Sequence, residues 1–203
     1  MKNRVITISR EFGSGGRTIG KKVAEKLGIP CYDAEIIQEM AKETGFAPDY
    51  VKEAGEYAPG SFLSAAFSNR MFGPTNEDIL WEHQYKVITD LAAKGPCVIV
   101  GRCGDYVLRD RKDVLRVFVY APKEWRLAYG KENNMLQAKD EKGIKDEIDK
   151  TDRNRAAYYN YYTQNRWGDA HNYDLAINAA LGHDACVNMI LAAAEAKEKA
   201  MEG

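Results

Sequence analysis

Short apolar, β-branched runs alternate along this chain with stretches whose apolar residues recur every three or four positions. Arg4-Val5-Ile6-Thr7-Ile8-Ser9 reads as a strand, and Gly13-Ser14-Gly15-Gly16 behind it breaks regular structure. Ile19, Val23, Ala24 and Leu27 then follow helical spacing until Gly28 and Pro30 stop it. Cys31-Tyr32 predicts a brief second strand ending at Asp33. Ile36, Ile37, Met40 and Ala41 mark a helix closed by Gly45, and Pro48 suits the first turn of another that runs to about Glu56. Thr75-Asn76-Glu77-Asp78 has the form of a capped helix start, with Ile79, Leu80, His83, Val87 and Leu91 on one face and Gly95 past the end. Cys97–Val100 and Val114–Tyr120 are nearly continuous in apolar residues, as strands covered on both faces are. Pro122 opens a further helix, Leu175–Asn178 is a last strand, and a helix from about Asp184 to Ala200 closes the chain. Strands alternating with helices predict a parallel sheet in an α/β sandwich. No internal repeat or low-complexity linker interrupts it.

Composition narrows the function classes. The chain has 203 residues, 45% of them hydrophobic and 29% charged, which fits one folded domain and excludes disorder as the main state. The net charge of -1 provides no global field for nucleic acid or an anionic membrane, so a bound phosphate must be met locally. No apolar stretch reaches signal-peptide length at the start or membrane-span length elsewhere, and the expectation is a soluble, cytoplasmic protein. Homo-oligomerisation is left open. Cys31, Cys97, Cys103 and Cys186 form no C-x-x-C pair, which argues against a disulfide framework or a zinc site. His83, His171 and His183 share no spacing and receive no chemical role.

The Gly13–Gly16 loop carries the first chemical signal. Between a strand and the helix it opens, unpaired amides and the positive helix end favour an anion such as phosphate. A glycine cluster by itself also describes a tight turn without a ligand. Its position after the first strand is where P-loop kinases hold their nucleotide. Together with Ile6–Arg17, the segments Ala24–Gly28, Tyr32-Asp33, Val98–Arg102, Thr151–Ala156, Trp167–Asp169 and Asn172–Asn178 resemble the cytidylate kinase-like proteins, relatives of the nucleoside monophosphate kinases. The resemblance covers nearly the whole chain. It implies a three-layer P-loop sandwich with a mostly parallel five-stranded sheet, a helical lid over residues 139–168, and an acceptor-side helical insertion over 46–75. It also implies ATP with magnesium as donor and a nucleoside monophosphate, CMP or dCMP, as acceptor. A kinase for another small acceptor and a non-catalytic nucleotide sensor are the rival readings.

The departures from the pattern bear on mechanism. Counting back from Ala24–Gly28 puts Gly16 where a P-loop carries its lysine and Arg17 in the hydroxyl position, with Thr18 just after. The resemblance then assigns Gly13, Ser14, Gly15, Gly16, Arg17 and Thr18 to the donor phosphates. Arg17 is expected to lean back as the phosphate cation, and Thr18 to reach magnesium. The strand ending at Val100 lacks an acid near its end, which leaves Asp33 and Asp105 as the nearest carboxylates for the metal. Asp33 is expected at the acceptor; it equally suits the N-cap of the following helix. Arg102 matches an acceptor-binding arginine, and Arg153 and Arg155 match lid arginines that cover the transferring phosphoryl group. Tyr158, Tyr159, Tyr161 and Tyr162 have the spacing of residues that pack a helix against the domain.

Overall fold

The computed structural model describes residues 5–55, 75–138 and 140–202. In chain order the elements are β1 (Val5–Arg10), α1 (Gly16–Leu27), β2 (Cys31–Tyr32), α2 (Ala34–Thr44), α3 (Pro48–Ala54), α4 (Asn76–Ala93), β3 (Cys97–Val100), α5 (Gly104–Val107), β4 (Val114–Tyr120), α6 (Lys123–Glu132), α7 (Glu141–Thr163), β5 (Leu175–Asn178) and α8 (His183–Glu202). The five strands pair in the order β2-β3-β1-β4-β5, with every pairing parallel.

Strand periodicity sorts the core into two layers. Val98 and Val100 turn to the side of the sheet covered by α1 and α8, where Ile19, Val23, Val187 and Ile190 meet them. Cys97 and Ile99 face the other way, onto Ile36, Met40, Ile88 and Leu91 of α2 and α4. Each fully buried Ile or Val contributes roughly 1.5–3 kcal/mol by leaving water. Helices on both faces of a parallel sheet make a three-layer α/β fold.

Local sequence signals set the element ends. Gly28 and Gly45 close α1 and α2 in the left-handed conformation, at φ 63° and 74°. Thr75 and Asp78 form a reciprocal capping box at the start of α4, and Pro48 occupies the first turn of α3. The four cysteines are free thiols, three of them buried, and burial pushes the Cys31 and Cys97 thiols up to about 11. No described helix is long and apolar enough to cross a membrane.

The two helical regions expected beside the sheet are described in part. The region expected as a lid is largely one continuous helix, α7, whose second half packs into the body: Tyr158 and Tyr159 are buried, and Tyr162 stacks on Trp81 of α4 with ring centroids 4.4 Å apart. Of the expected acceptor-side insertion, α3 is seen, and residues 56–74 lie outside the described residues.

Candidate functional site

The connection from β1 to α1 turns at Gly13 and Gly15, with φ 76° and 74°, values costly for a residue with a side chain. Close packing reinforces the choice. A Cβ on Gly13 would stand 3.0 Å from the Arg126 carbonyl oxygen, and one on Gly15 would overlap His183 Nε2. The first amide of α1 with a helical acceptor is that of Ile19, which donates to the Gly15 carbonyl at 2.9 Å. The amides of Gly16, Arg17 and Thr18 therefore have no helical acceptor, and the positive helix end adds its field.

These amides border a cavity of about 790 Å³ at the carboxyl edge of the sheet, where open parallel folds bind ligands. Gly13, Gly15 and Gly16 line one side, and Arg10, Arg17, Arg102 and Arg155 bring four guanidinium groups to its wall. Behind β3 the chain makes three successive left-handed residues, Gly101, Arg102 and Cys103, at φ 75°, 56° and 54°. Such a turn is strained for Arg and Cys and needs support from its surroundings. Gln84, fully buried in α4, donates its Nε2–H to the Arg102 carbonyl at 3.0 Å. The Arg102 side chain then reaches Gly55, and its buried Nη1 has no hydrogen-bond partner among the described residues. A buried cationic donor without a partner is costly unless a ligand supplies an acceptor.

The other expected residues are placed unevenly. Arg155 lies over the Phe12 ring, 5.5 Å from its centroid, and its Nη1 donates to the Arg10 carbonyl at 3.4 Å. Arg153, three turns into the same helix, is exposed and does not line the cavity. The helical period turns it off the face that carries Arg155, so the structure does not bring the two together. Arg17 lines the cavity, but its Nε forms an ion pair with Asp33 and its side chain is 55% exposed. It does not lean back over the loop. Asp33 stands at the start of α2 without a side-chain cap bond, its carboxylate turned to Arg17 instead. Thr18 Oγ1 shares a 3.0 Å hydrogen bond with the Tyr129 hydroxyl.

Asp105 is drawn inward instead. Only 2% exposed, it accepts from Ser9 Oγ at 3.0 Å and from the Tyr159 hydroxyl at 2.7 Å. Burial raises its pKa, and the bonds from Tyr159 and Ser9 oppose that rise. With the folded pKa above the unfolded one, its contribution to stability is complete below the ordinary carboxyl range and is lost as pH rises through the raised value. Asp105→Asn is accordingly expected to be more stable than the parent at pH 7, with the gain shrinking toward pH 4. Urea unfolding at the two pH values checks this, and a gain independent of pH would count against it.

Sequence reasoning missed the clamp that holds the loop. Asp152 of α7 accepts from the Phe12 amide at 2.7 Å and from Arg126 Nη1 at 2.5 Å. The same Nη1 donates to the Phe12 carbonyl at 3.1 Å, and Arg126 Nε lies 3.4 Å from Glu11 Oε2, which also accepts from the Ala121 amide. Burial raises the Glu11 pKa, against the lowering effects of that amide and of Arg126. Asp152 sits in the charged Thr151–Ala156 segment, where an acid among arginines was the available signal; Arg126 offered none.

For a divalent cation the donor set is small. Among the described residues no three His, Cys, Asp or Glu side chains gather to hold one. Thr18 Oγ1 and Asp33, beside the loop, fit an ion that arrives with phosphate ligands of its own.

Comparison with known proteins bears on the family and the fold. The sequence profile described as the cytidylate kinase-like family matches residues 5–180. Among solved structures, an uncharacterized protein from Eubacterium ventriosum ATCC 27560 is similar at 27% identity and a TM-score of 0.72, over 95% of this chain and 98% of that one. A shikimate kinase from Bacteroides thetaiotaomicron (16% identity, TM-score 0.54, 92% and 96% covered) shares the fold. So does a gluconokinase from Sinorhizobium meliloti 1021 (14%, 0.57, 98% and 96%). The architecture is thus the three-layer α/β fold of P-loop kinases. No curated protein sequence is similar enough to count as a relative.

Proposed function

The chain belongs to the cytidylate kinase-like family, and from that premise we propose that it is an ATP-dependent phosphotransferase that moves the γ-phosphoryl group to a nucleoside monophosphate, CMP or dCMP. One observation carries the reading: the open first-turn amides of α1 and four arginines face a single cavity at the carboxyl edge of a P-loop sheet. With Lys52 beside the arginines and only Glu11 and Asp33 against them, the cavity wall is net positive in a chain of net charge -1, which favours a polyanion.

In this reading the loop amides hold the donor phosphates. Arg102, whose Nη1 has no partner among the described residues, takes the anionic group of the acceptor on the far side. Arg155 enters from α7 at the junction between them and neutralises charge that spreads over the transferring oxygens. Little covalent chemistry is asked of the protein, because positioning and electrostatics supply most of the rate in such transfers. Magnesium, held by phosphate oxygens with Thr18 and Asp33 nearby, would neutralise donor charge. Asp33 also fixes Arg17 at the cavity rim.

A coupled assay with ATP, magnesium and a panel of nucleoside monophosphates tests the proposal. CMP or dCMP is expected to give the highest kcat/KM. Tight ATP binding without turnover on any acceptor would replace the enzyme with a nucleotide sensor, and turnover confined to another base would overturn the acceptor assignment alone.

A further inference from the structure

A P-loop without its lysine lacks the ammonium that meets the donor phosphates, and Arg17, next in sequence, is engaged with Asp33. The reason position 16 carries no side chain is visible in the packing. A Cβ on Gly16 would stand 2.6 Å from Arg10 Cβ and 3.0 Å from its Cγ. The stem of Arg10 therefore runs through the volume that a lysine at 16 would need. At the far end, a Cβ on Gly101 would overlap Arg10 Nη1. Two glycines, one opening α1 and one following β3, leave a passage for this one side chain.

The passage ends at the cavity. Arg10 is the last residue of β1, the central strand, and it lines the same wall as Gly13, Gly15 and Gly16. Its backbone is held on two sides: it stands in register with Val119 of β4, and its carbonyl accepts from Arg155. A guanidinium delivered from a buried strand end is a pre-positioned, permanently charged fork suited to phosphate oxygens.

We propose that Arg10 is the phosphate-loop cation of this protein, a catalytic residue whose guanidinium binds the phosphoryl oxygens of the nucleotide held by the Gly13–Thr18 loop, in the place that a lysine at position 16 would otherwise fill. This rests on the phosphotransferase reading and deepens it. It also revises the part expected of Arg17, which becomes the partner of Asp33.

Calorimetric titration with inorganic tripolyphosphate and with ATP tests the assignment on the full chain. Arg10→Met is expected to weaken both ligands about tenfold to a hundredfold, the size of one or two charge-assisted hydrogen bonds, and to lose at least tenfold more than Arg17→Met. The double variant Arg10→Gly/Gly16→Lys, in which removal of the Cβ and the stem together opens room for the lysine, is expected to bind tripolyphosphate at least tenfold tighter than Arg10→Gly. A purely structural role for Arg10 would not produce that recovery. Footprinting of the unmodified protein with an arginine-selective dicarbonyl, read by mass spectrometry, makes the test independent of variant folding: tripolyphosphate is expected to protect Arg10. If the parent binds neither ligand, the phosphotransferase reading fails and takes Arg10 with it. If the parent binds but Arg10→Met is unaffected, Arg17→Met shows the larger loss, or Arg10 is modified equally with and without tripolyphosphate, the Arg10 assignment alone is overturned.

Discussion

Arg155→Met is expected to lower kcat about a thousandfold, the scale seen when an arginine that stabilises a transferring phosphoryl group is removed, while ATP affinity falls far less. The Arg155 guanidinium is held on two sides, by the Phe12 ring under it and by the Arg10 carbonyl, so its charge is already at the loop before substrate arrives. Preorganised charge costs no rearrangement at the moment of transfer, which is why its loss falls on kcat more than on KM. Arg153→Met provides the contrast: from its exposed position outside the cavity it is expected to lower kcat less than tenfold. Steady-state kinetics on the two variants decide the matter. Equal losses would return the transfer point to the pair of arginines that the sequence motif proposes.

The second large effect concerns folding. Arg126→Met is expected to destabilise the protein by about 3–5 kcal/mol, because it leaves the carboxylates of Asp152 and Glu11 without their buried cation. For a chain of this size that corresponds to a melting temperature lower by about 10 °C. The methionine keeps much of the stem volume, so the loss would report the charge and its hydrogen bonds more than a cavity. A thermal melt followed by circular dichroism suffices to measure it. An unchanged midpoint would mean that the bond from the Phe12 amide to Asp152 holds the loop without help from Arg126.

The scaffold was largely readable before the structure because its signals are local. The runs Cys97–Val100 and Val114–Tyr120 coincide with β3 and β4, and Gly28, Gly45 and the Thr75–Asp78 box end or begin helices through bonds within a few residues. The tyrosine spacing likewise pointed to packing, as Tyr158 and Tyr162 against Trp81 bear out. The site was less legible, since its geometry depends on which side chain wins a shared space. Motif counting drew attention to Arg17 as the residue nearest the missing lysine. It could not see that Asp33, 16 positions on, would pair with Arg17, or that the strand-end Arg10 would thread past Gly16. Arg126 and Asp152 sit 26 positions apart, and nothing at either position marks the other. Burial of Asp105 was equally hidden, because it depends on Ser9 and Tyr159 arriving from opposite ends of the chain.

Among the contacts that fasten helix α7 to the body are two hydrogen bonds seven residues apart, Asp152 on the Phe12 amide and Tyr159 on Asp105. Seven residues are two helical turns, so both anchors lie along one stripe and the helix between them has no hinge. With Ile144, Ile148 and Asp149 held ahead of Thr151 as well, the helix stands beside the cavity as a fixed post rather than a swinging door.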